Sequence, residues 1–131
     1  MNFLDSSFLA DYLQGEPYVK AYLENCGDVS QFTPSIVTFE LGYGALKHPS
    51  PKETLATVSE ALAWVEVVPF DERAAVEAAA IHDELRRDGS MIPTQDVMIA
   101  GVVRDAGGSL VTRDDDFTEV PGLDVDLLEA E

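Results

Sequence analysis

Short apolar segments recur along the 131-residue chain, and one or two helical segments separate each of them from the next. This alternation predicts βαβ units, in which helices cover both faces of a central parallel sheet. We therefore expect an α/β fold, and the length predicts one domain over residues 1–131. Ligands of such sheets bind beyond the carboxyl ends of the strands. The predicted strands are residues 3–4, 29–32, 64–68, 109–112 and 123–125.

Helix start and stop signals stand between these strands. A hydroxyl or carboxylate side chain precedes most of the helical runs, and Gly or Pro follows them. The signals predict six helices. They begin after Ser6 or Ser7, at Pro17, after Pro34-Ser35, after Ser50, after Asp71 and after Thr94.

The composition is strongly acidic, with 25 Asp and Glu against 8 Lys and Arg and a formal net charge of −17. Such self-repulsion destabilises a compact state unless salt screens it, and the Debye length falls to about 3 Å at 1 M salt. We interpret the composition as that of a salt-accumulating halophilic archaeon, with an ordinary acidic protein as the alternative. The absence of a basic stripe argues against a simple nucleic-acid binder, although high salt also weakens that objection.

Cysteine usage and hydropathy narrow the class of protein further. Cys26 is the single cysteine, which excludes an internal disulfide and a multi-cysteine zinc site and suits a reducing cytosol. The apolar runs are far shorter than the roughly 20 residues that a membrane helix needs. The first residues lack the basic region of a signal peptide. We therefore expect a cytoplasmic protein that makes no use of a membrane.

Five acidic residues stand where a site or a core is expected. Asp5 ends the first predicted strand, and Asp114 and Asp116 follow the fourth. Glu40 and Asp96 lie on the apolar stripes of helices, where an unpaired carboxylate costs several kcal/mol. Basic partners are scarce, so carboxylates from four places in the chain can share one cation. Oxygen-only ligands favour Mg²⁺ or Mn²⁺ over Zn²⁺.

Each of these acids also has an ordinary structural interpretation. Asp5 and Asp114 can be turn or capping residues, and Asp96 can be a first-turn acid favoured by the helix dipole. Glu40 can point to solvent if its helix is rotated. The metal-site hypothesis depends on the set of acids and on no single one of them.

The acids lie in four segments of the chain. These read FLDSS (residues 3–7), SIVTFELGYG (35–44), IPTQDVMIA (92–100) and GGSLVTRDDDF (107–117). In their order and spacing they resemble the four motifs of the PIN domain, and within it of the VapC-type toxin ribonucleases. The resemblance covers nearly the whole chain. Gly101 stands where the family usually has Ala, and Asp114 stands where many members have Asn.

The resemblance implies a three-layer α/β/α fold and a metal-dependent endoribonuclease that uses Mg²⁺ or Mn²⁺. It implies Asp5, Glu40, Asp96 and Asp114 as catalytic residues. We expect Asp5 and Asp96 to bind the metal directly, with Asp114 as the fourth site acid and a further metal ligand, and Asp116 as its helper. Glu40 would orient water and is a candidate base.

Three further residues and several partners follow from the same resemblance. Ser6 and Thr112 would support the acids, and Arg113 would contact a phosphate or form a surface salt bridge. The ribonuclease would be the toxin of a type II toxin–antitoxin pair. Its partners would be an RNA substrate, an antitoxin protein and a second copy of the chain.

Two other functions compete with the ribonuclease. A catalytically weak PIN-like interaction module would be expected if any of the acids were missing, and none is. A doubly wound phosphotransfer domain with Asp5 as nucleophile would want a second acid where Ser7 stands.

Overall fold

The structure, a computed structural model, describes residues 1–129, so the last two residues of the domain expected over 1–131 lie outside the described residues. Five strands form one parallel sheet, confirming the predicted sheet. The strand order across the sheet is third, second, first, fourth, fifth along the chain. The strands are β1 (Asn2–Leu4), β2 (Gln31–Pro34), β3 (Glu66–Val68), β4 (Ser109–Thr112) and β5 (Asp124–Leu127).

Helices flank this sheet, so the expected fold class, an α/β fold with a central parallel sheet, is confirmed. A short 3₁₀ helix at Asp115–Glu119 follows β4 and was not expected from the sequence. None of the helices in the described part of the chain has the length and apolar character needed to cross a bilayer. The helices are α1 (Ser6–Gln14), α2 (Pro17–Cys26), α3 (Ser35–Leu46), α4 (Pro51–Ala61), α5 (Glu72–Asp88) and α6 (Thr94–Ala106).

Two helix caps differ from the prediction. Asp5, and neither Ser6 nor Ser7, caps α1, because its carboxylate already accepts the backbone N–H of Phe8 at 3.0 Å. Thr94 does not cap α6, since the chain enters this helix through the extended backbone of Pro93. By contrast, Asp71 caps α5 as predicted, accepting from Ala74 N–H.

The central strand β1 sets the position of the candidate site. It pairs in parallel with β2 on one side and with β4 on the other, and Leu4 lies opposite Val111. The backbone N–H of Asp5 donates to the carbonyl of Val111 at 3.3 Å, which continues the pairing past the strand. The carboxyl ends of β1 and β4 therefore meet at one edge of the sheet, as parallel neighbours must.

Apolar side chains of the strands and of α6 fill the interior. Phe3, Leu4, Leu110 and Val111 have no exposed surface. Helix α6 is buried on nearly every side from Val97 to Val103. Because α6 lies in the interior, the residues at its start are held rigidly at the same edge as the strand ends.

Arg104 anchors the far end of α6. Its guanidinium donates to Glu77 at 2.7 Å and to Glu84 at 2.9 Å, both on α5, and to the carbonyl of Pro121 at 2.8 Å. The side chain is 15% exposed, so these pairs are screened less than ordinary surface pairs. The cluster joins α5, α6 and the segment leading to β5.

The contact between α5 and α6 is too close for a side chain at Gly101. A Cβ atom placed there would lie 2.7 Å from the Cβ of Ala78 and 2.8 Å from the carbonyl oxygen of Ala74. Both distances are shorter than carbon contacts allow, and one of the atoms belongs to the backbone. The glycine is thus a packing requirement of this helix pair.

We expect Gly101→Ala to lower the free energy of unfolding by about 1–3 kcal/mol through overpacking. Gly44→Ala is the matched control, because Gly44 is also helical but a Cβ there would meet nothing within 4 Å. The control should raise stability by about 0.5–1 kcal/mol, since alanine favours the helix. Urea unfolding of the three proteins measures both effects, and equal signs for the two variants would contradict this explanation.

Candidate active site

Asp5 lies at the junction of β1 and α1 and is 3% exposed. Its Oδ1 accepts hydrogen bonds from the Ser7 hydroxyl at 2.8 Å and from the Phe8 N–H at 3.0 Å. Its Oδ2 accepts a bond from the Thr112 hydroxyl at the end of β4. Burial raises the pKa of Asp5, although these three donors favour the carboxylate and oppose the shift. A carboxylate engaged in this way is poorly suited to be a phosphotransfer nucleophile.

A chain of hydrogen bonds continues from Asp5 along the segment after β4. The hydroxyl oxygen of Thr112 accepts a hydrogen bond from the backbone N–H of Asp114 at 2.9 Å. The Oδ1 of Asp114 in turn accepts the backbone N–H of Asp116 at 2.9 Å and so caps the 3₁₀ helix. The Thr112 hydroxyl therefore joins the first acidic motif to the last one.

Asp96 faces these residues from the first turn of α6. One carboxylate oxygen from each of Asp96, Asp114 and Asp116 lies within 4.8 Å of the other two. We call these three residues the acid cluster. The pKa of Asp96 is raised to about 7, first by burial and then by the charges of Asp114, Glu40, Asp116 and Asp5. Such a group of like charges calls for a cation.

Glu40 approaches from α3. Burial raises the pKa of its carboxyl group, the Ser6 hydroxyl lowers it by hydrogen bonding, and the charge of Asp5 raises it again. Its Oε1 atom is buried and has no hydrogen-bond partner in residues 1–129. A buried carboxylate oxygen without a partner is costly, so this atom is a natural acceptor for a water or ligand held at the site.

The donor set fits a divalent cation of the Mg²⁺ or Mn²⁺ type. The side-chain atoms that face one another here are carboxylate oxygens, the ligands that such hard cations prefer. The acid cluster is the tightest group, and Asp5 lies outside it. Asp5 nevertheless keeps acceptor capacity on Oδ2, since a carboxylate oxygen offers about two lone-pair sites and one donor is bound there. Asp116, expected as the helper of Asp114, lies within the acid cluster.

Arg113 forms its side-chain ion pair with α1. Its Nε lies 2.7 Å from Asp11 Oδ2, so the salt bridge considered for this residue is present. Its backbone N–H donates to Ser7 Oγ at 3.4 Å. Asp11 and Ser7 were not expected at the site. Their spacing of four residues, which places both on one face of α1, is the signal that would have found them.

The comparisons with known proteins agree with this geometry. Residues 3–123 match the model of the PIN domain. The chain belongs to the PIN domain family. The resemblance inferred from the four motifs is thereby confirmed.

The chain is similar in sequence to VapC proteins and in structure to chains of VapBC complexes. Over 93 residues, or 70% of each chain, the sequence is 36% identical to the tRNA(fMet)-specific endonuclease VapC of Salmonella typhimurium. A chain of DNA-bound VapBC from the same organism has 28% identity and a TM-score of 0.86, covering 95% of this chain and 96% of that one. VapBC2 of Rickettsia felis, bound to a promoter DNA fragment, gives a TM-score of 0.89 with 98% of both chains covered. At 21% identity it supports the fold alone.

The raised pKa of Asp96 makes stability depend on pH. The pKa is about 7 in the folded protein, against an ordinary value of 3.8 for an aspartate side chain. The stability that this group contributes is therefore complete below about pH 4 and is lost as the pH rises through 7. Asp96→Asn, which cannot ionise, should be more stable than the wild type in EDTA at pH 8, by about 1–3 kcal/mol after allowance for screening.

Thermal unfolding at pH 5 and pH 8 measures the effect, and the gain should shrink at the lower pH. Asp28→Asn is the control, because it removes the same charge from an exposed position near the opposite edge of the sheet. An equal gain in both variants would mean that overall charge, and not crowding of the acids, is responsible.

Proposed function

We propose that the protein is a divalent-metal-dependent endoribonuclease that hydrolyses RNA phosphodiester bonds, acting as the toxin of a toxin–antitoxin pair. The observation that carries the proposal is the acid cluster, whose three carboxylates lie within 4.8 Å of one another beside the buried, unpartnered Oε1 of Glu40. The VapC relative named as a tRNA(fMet)-specific endonuclease supports the same activity.

The carboxylates have separate roles in this proposal. Asp96, Asp114 and Asp116 would hold a divalent ion, and Asp5 would add its remaining acceptor site. When bound, a divalent ion brings positive charge to the phosphate and acidifies a water. Glu40 would orient a water through Oε1 and accept its proton, a task that suits a carboxyl group whose pKa is raised by burial. Ser6, which lowers the pKa of Glu40, would orient that carboxylate, and the Thr112 hydroxyl holds that of Asp5 by its hydrogen bond.

Two protein partners belong to the proposal. The first is an antitoxin, as in the VapBC complexes whose chains share this fold. The second is another copy of the chain. Helix α3 exposes an apolar stripe of Phe39, Tyr43 and Leu46, each more than half exposed, which a homodimer would cover. RNA and an antitoxin are both met in the cytoplasm, where we place the protein.

The activity is tested by RNA cleavage with protein freed of antitoxin, in concentrated KCl, with Mg²⁺, Mn²⁺ or EDTA. We expect cleavage with either ion and none in EDTA. Asp96→Asn should lower the rate at least about 100-fold, since it removes a ligand of the ion and a charge of the cluster. Asp28→Asn should cleave as the wild type does.

Two results would count against the proposal. Cleavage that persists in Asp96→Asn would point to a contaminating nuclease. A folded wild-type protein that cleaves no RNA with either ion would favour the alternative of an interaction module.

We also propose that the protein works in a salt-rich cytoplasm. Its net charge of −17 over 131 residues opposes folding by self-repulsion, which salt screens. The thermal midpoint should therefore rise steeply between about 0.1 and 2 M KCl. Sucrose, which strengthens burial without screening charge, is the control. An equal gain in sucrose would leave charge screening without support.

A further inference from the structure

Arg113 occupies an unusual position among the few basic residues. It directly precedes Asp114 of the acid cluster, and its backbone N–H donates to Ser7, whose hydroxyl in turn donates to Asp5. The backbone of Arg113 is thus tied to the same network as the acids. Its side chain is 39% exposed.

Two side chains hold the guanidinium of Arg113 in place. Asp11 on α1 lies 2.7 Å from Nε and is 13% exposed. Tyr18 on α2 donates its hydroxyl to the same Asp11 oxygen, and its ring centroid lies 5.8 Å from the Arg113 guanidinium carbon. Burial and the Asp11 carboxylate raise the pKa of Tyr18, so its hydroxyl remains a donor. The three side chains form one cluster that joins α1, α2 and the end of β4.

The other arginines are engaged with acidic residues in other parts of the fold. Arg73 pairs with Asp105, Arg86 and Arg87 pair with Asp83, and Arg104 lies within the α5–α6 cluster. A phosphate that approaches the acid cluster of so acidic a protein needs a local positive charge. Arg113 is the arginine that adjoins this cluster in the sequence.

We propose that Asp11 and Tyr18 are positioning residues, which hold Arg113 so that its guanidinium binds an RNA phosphate beside the acid cluster. The inference rests on the proposed RNA substrate. A guanidinium has five N–H donors, and because the Asp11 contact uses Nε, donors of the terminal amino groups remain for the phosphate. A long side chain fixed before binding loses less conformational freedom when the RNA arrives.

The competing explanation of the Asp11 contact predicts the opposite sign. If Asp11 only neutralised Arg113, its removal would free the positive charge and strengthen RNA binding. If Asp11 positions Arg113, its removal weakens binding, because the guanidinium is no longer held in one place. Asp11→Asn separates the two explanations, since asparagine removes the charge but keeps an oxygen that can accept from Tyr18.

The experiment measures binding of a fluorescein-labelled single-stranded RNA of about 20 nucleotides, long enough for a typical single-strand site, by fluorescence anisotropy. EDTA prevents metal-dependent cleavage, and the KCl concentration is varied. The variants are Arg113→Met, Asp11→Asn, Tyr18→Phe and the two double variants that combine Arg113→Met with each of the others. Arg86→Met is the matched control, an exposed arginine paired with Asp83 on α5.

Arg113→Met should weaken binding about three- to tenfold and reduce the slope of log affinity against log salt by about 0.7, the loss of one phosphate contact. Asp11→Asn and Tyr18→Phe should each weaken binding to a smaller extent. Neither should have an effect in the Arg113→Met background, because both act through Arg113. In cleavage assays with Mg²⁺, the single variants should raise KM and leave kcat nearly unchanged. The control should bind and cleave as the wild type does.

Tighter binding by Asp11→Asn would overturn the proposal, as would an effect of Asp11→Asn that persists without Arg113. An unchanged salt slope in Arg113→Met would overturn it as well. A role in stability alone would lower the thermal midpoint and leave the slope intact. The ribonuclease function is tested separately. It fails if the wild-type protein cleaves no RNA, whatever the binding measurements on the variants show.

Discussion

The hydrogen bond from the Thr112 hydroxyl to the Asp5 carboxylate is the contact on which the arrangement of the site depends. It joins the ends of two neighbouring parallel strands, β1 and β4. The other carboxylate oxygen of Asp5 caps the start of α1. The hydroxyl oxygen of Thr112 accepts the backbone N–H of Asp114, whose own carboxylate caps the start of the 3₁₀ helix. The bonds that end these strands and begin these helices are therefore the same bonds that aim the acids at one another.

This arrangement opposes stability at the site. Burial and mutual repulsion raise the pKa values of Asp5, Glu40 and Asp96, so each charge resists the fold that gathers it. Other contacts offset the cost. The close approach of α5 and α6 at Gly101 and the Arg104 cluster hold α6, and with it Asp96, against the repulsion. Stability given up at a site and recovered elsewhere is the usual pattern of a functional surface.

The sequence predicted the sheet from its apolar runs, and it pointed to the five candidate acids by local signals: a position just after a strand, or a charge on an apolar helix face. It misplaced β2, since apolar Val29 is 61% exposed whereas polar Gln31 is buried, its side chain accepting from Asn2 at 2.7 Å. That partner lies 29 residues away, beyond any local pattern. The approach of Asp116 to Asp96 and the link from Arg113 to Asp11 depend in the same way on tertiary placement.

High salt changes how so acidic a chain can bind RNA. At about 1 M salt the Debye length is near 3 Å, so long-range repulsion between the protein surface and a polyanion largely disappears. Long-range attraction disappears with it, and a diffuse basic surface would contribute little. Groups in direct contact with the phosphate then determine affinity. One arginine, paired with Asp11 and next to Asp114 in the sequence, suits those conditions better than a broad positive patch, which the composition does not provide.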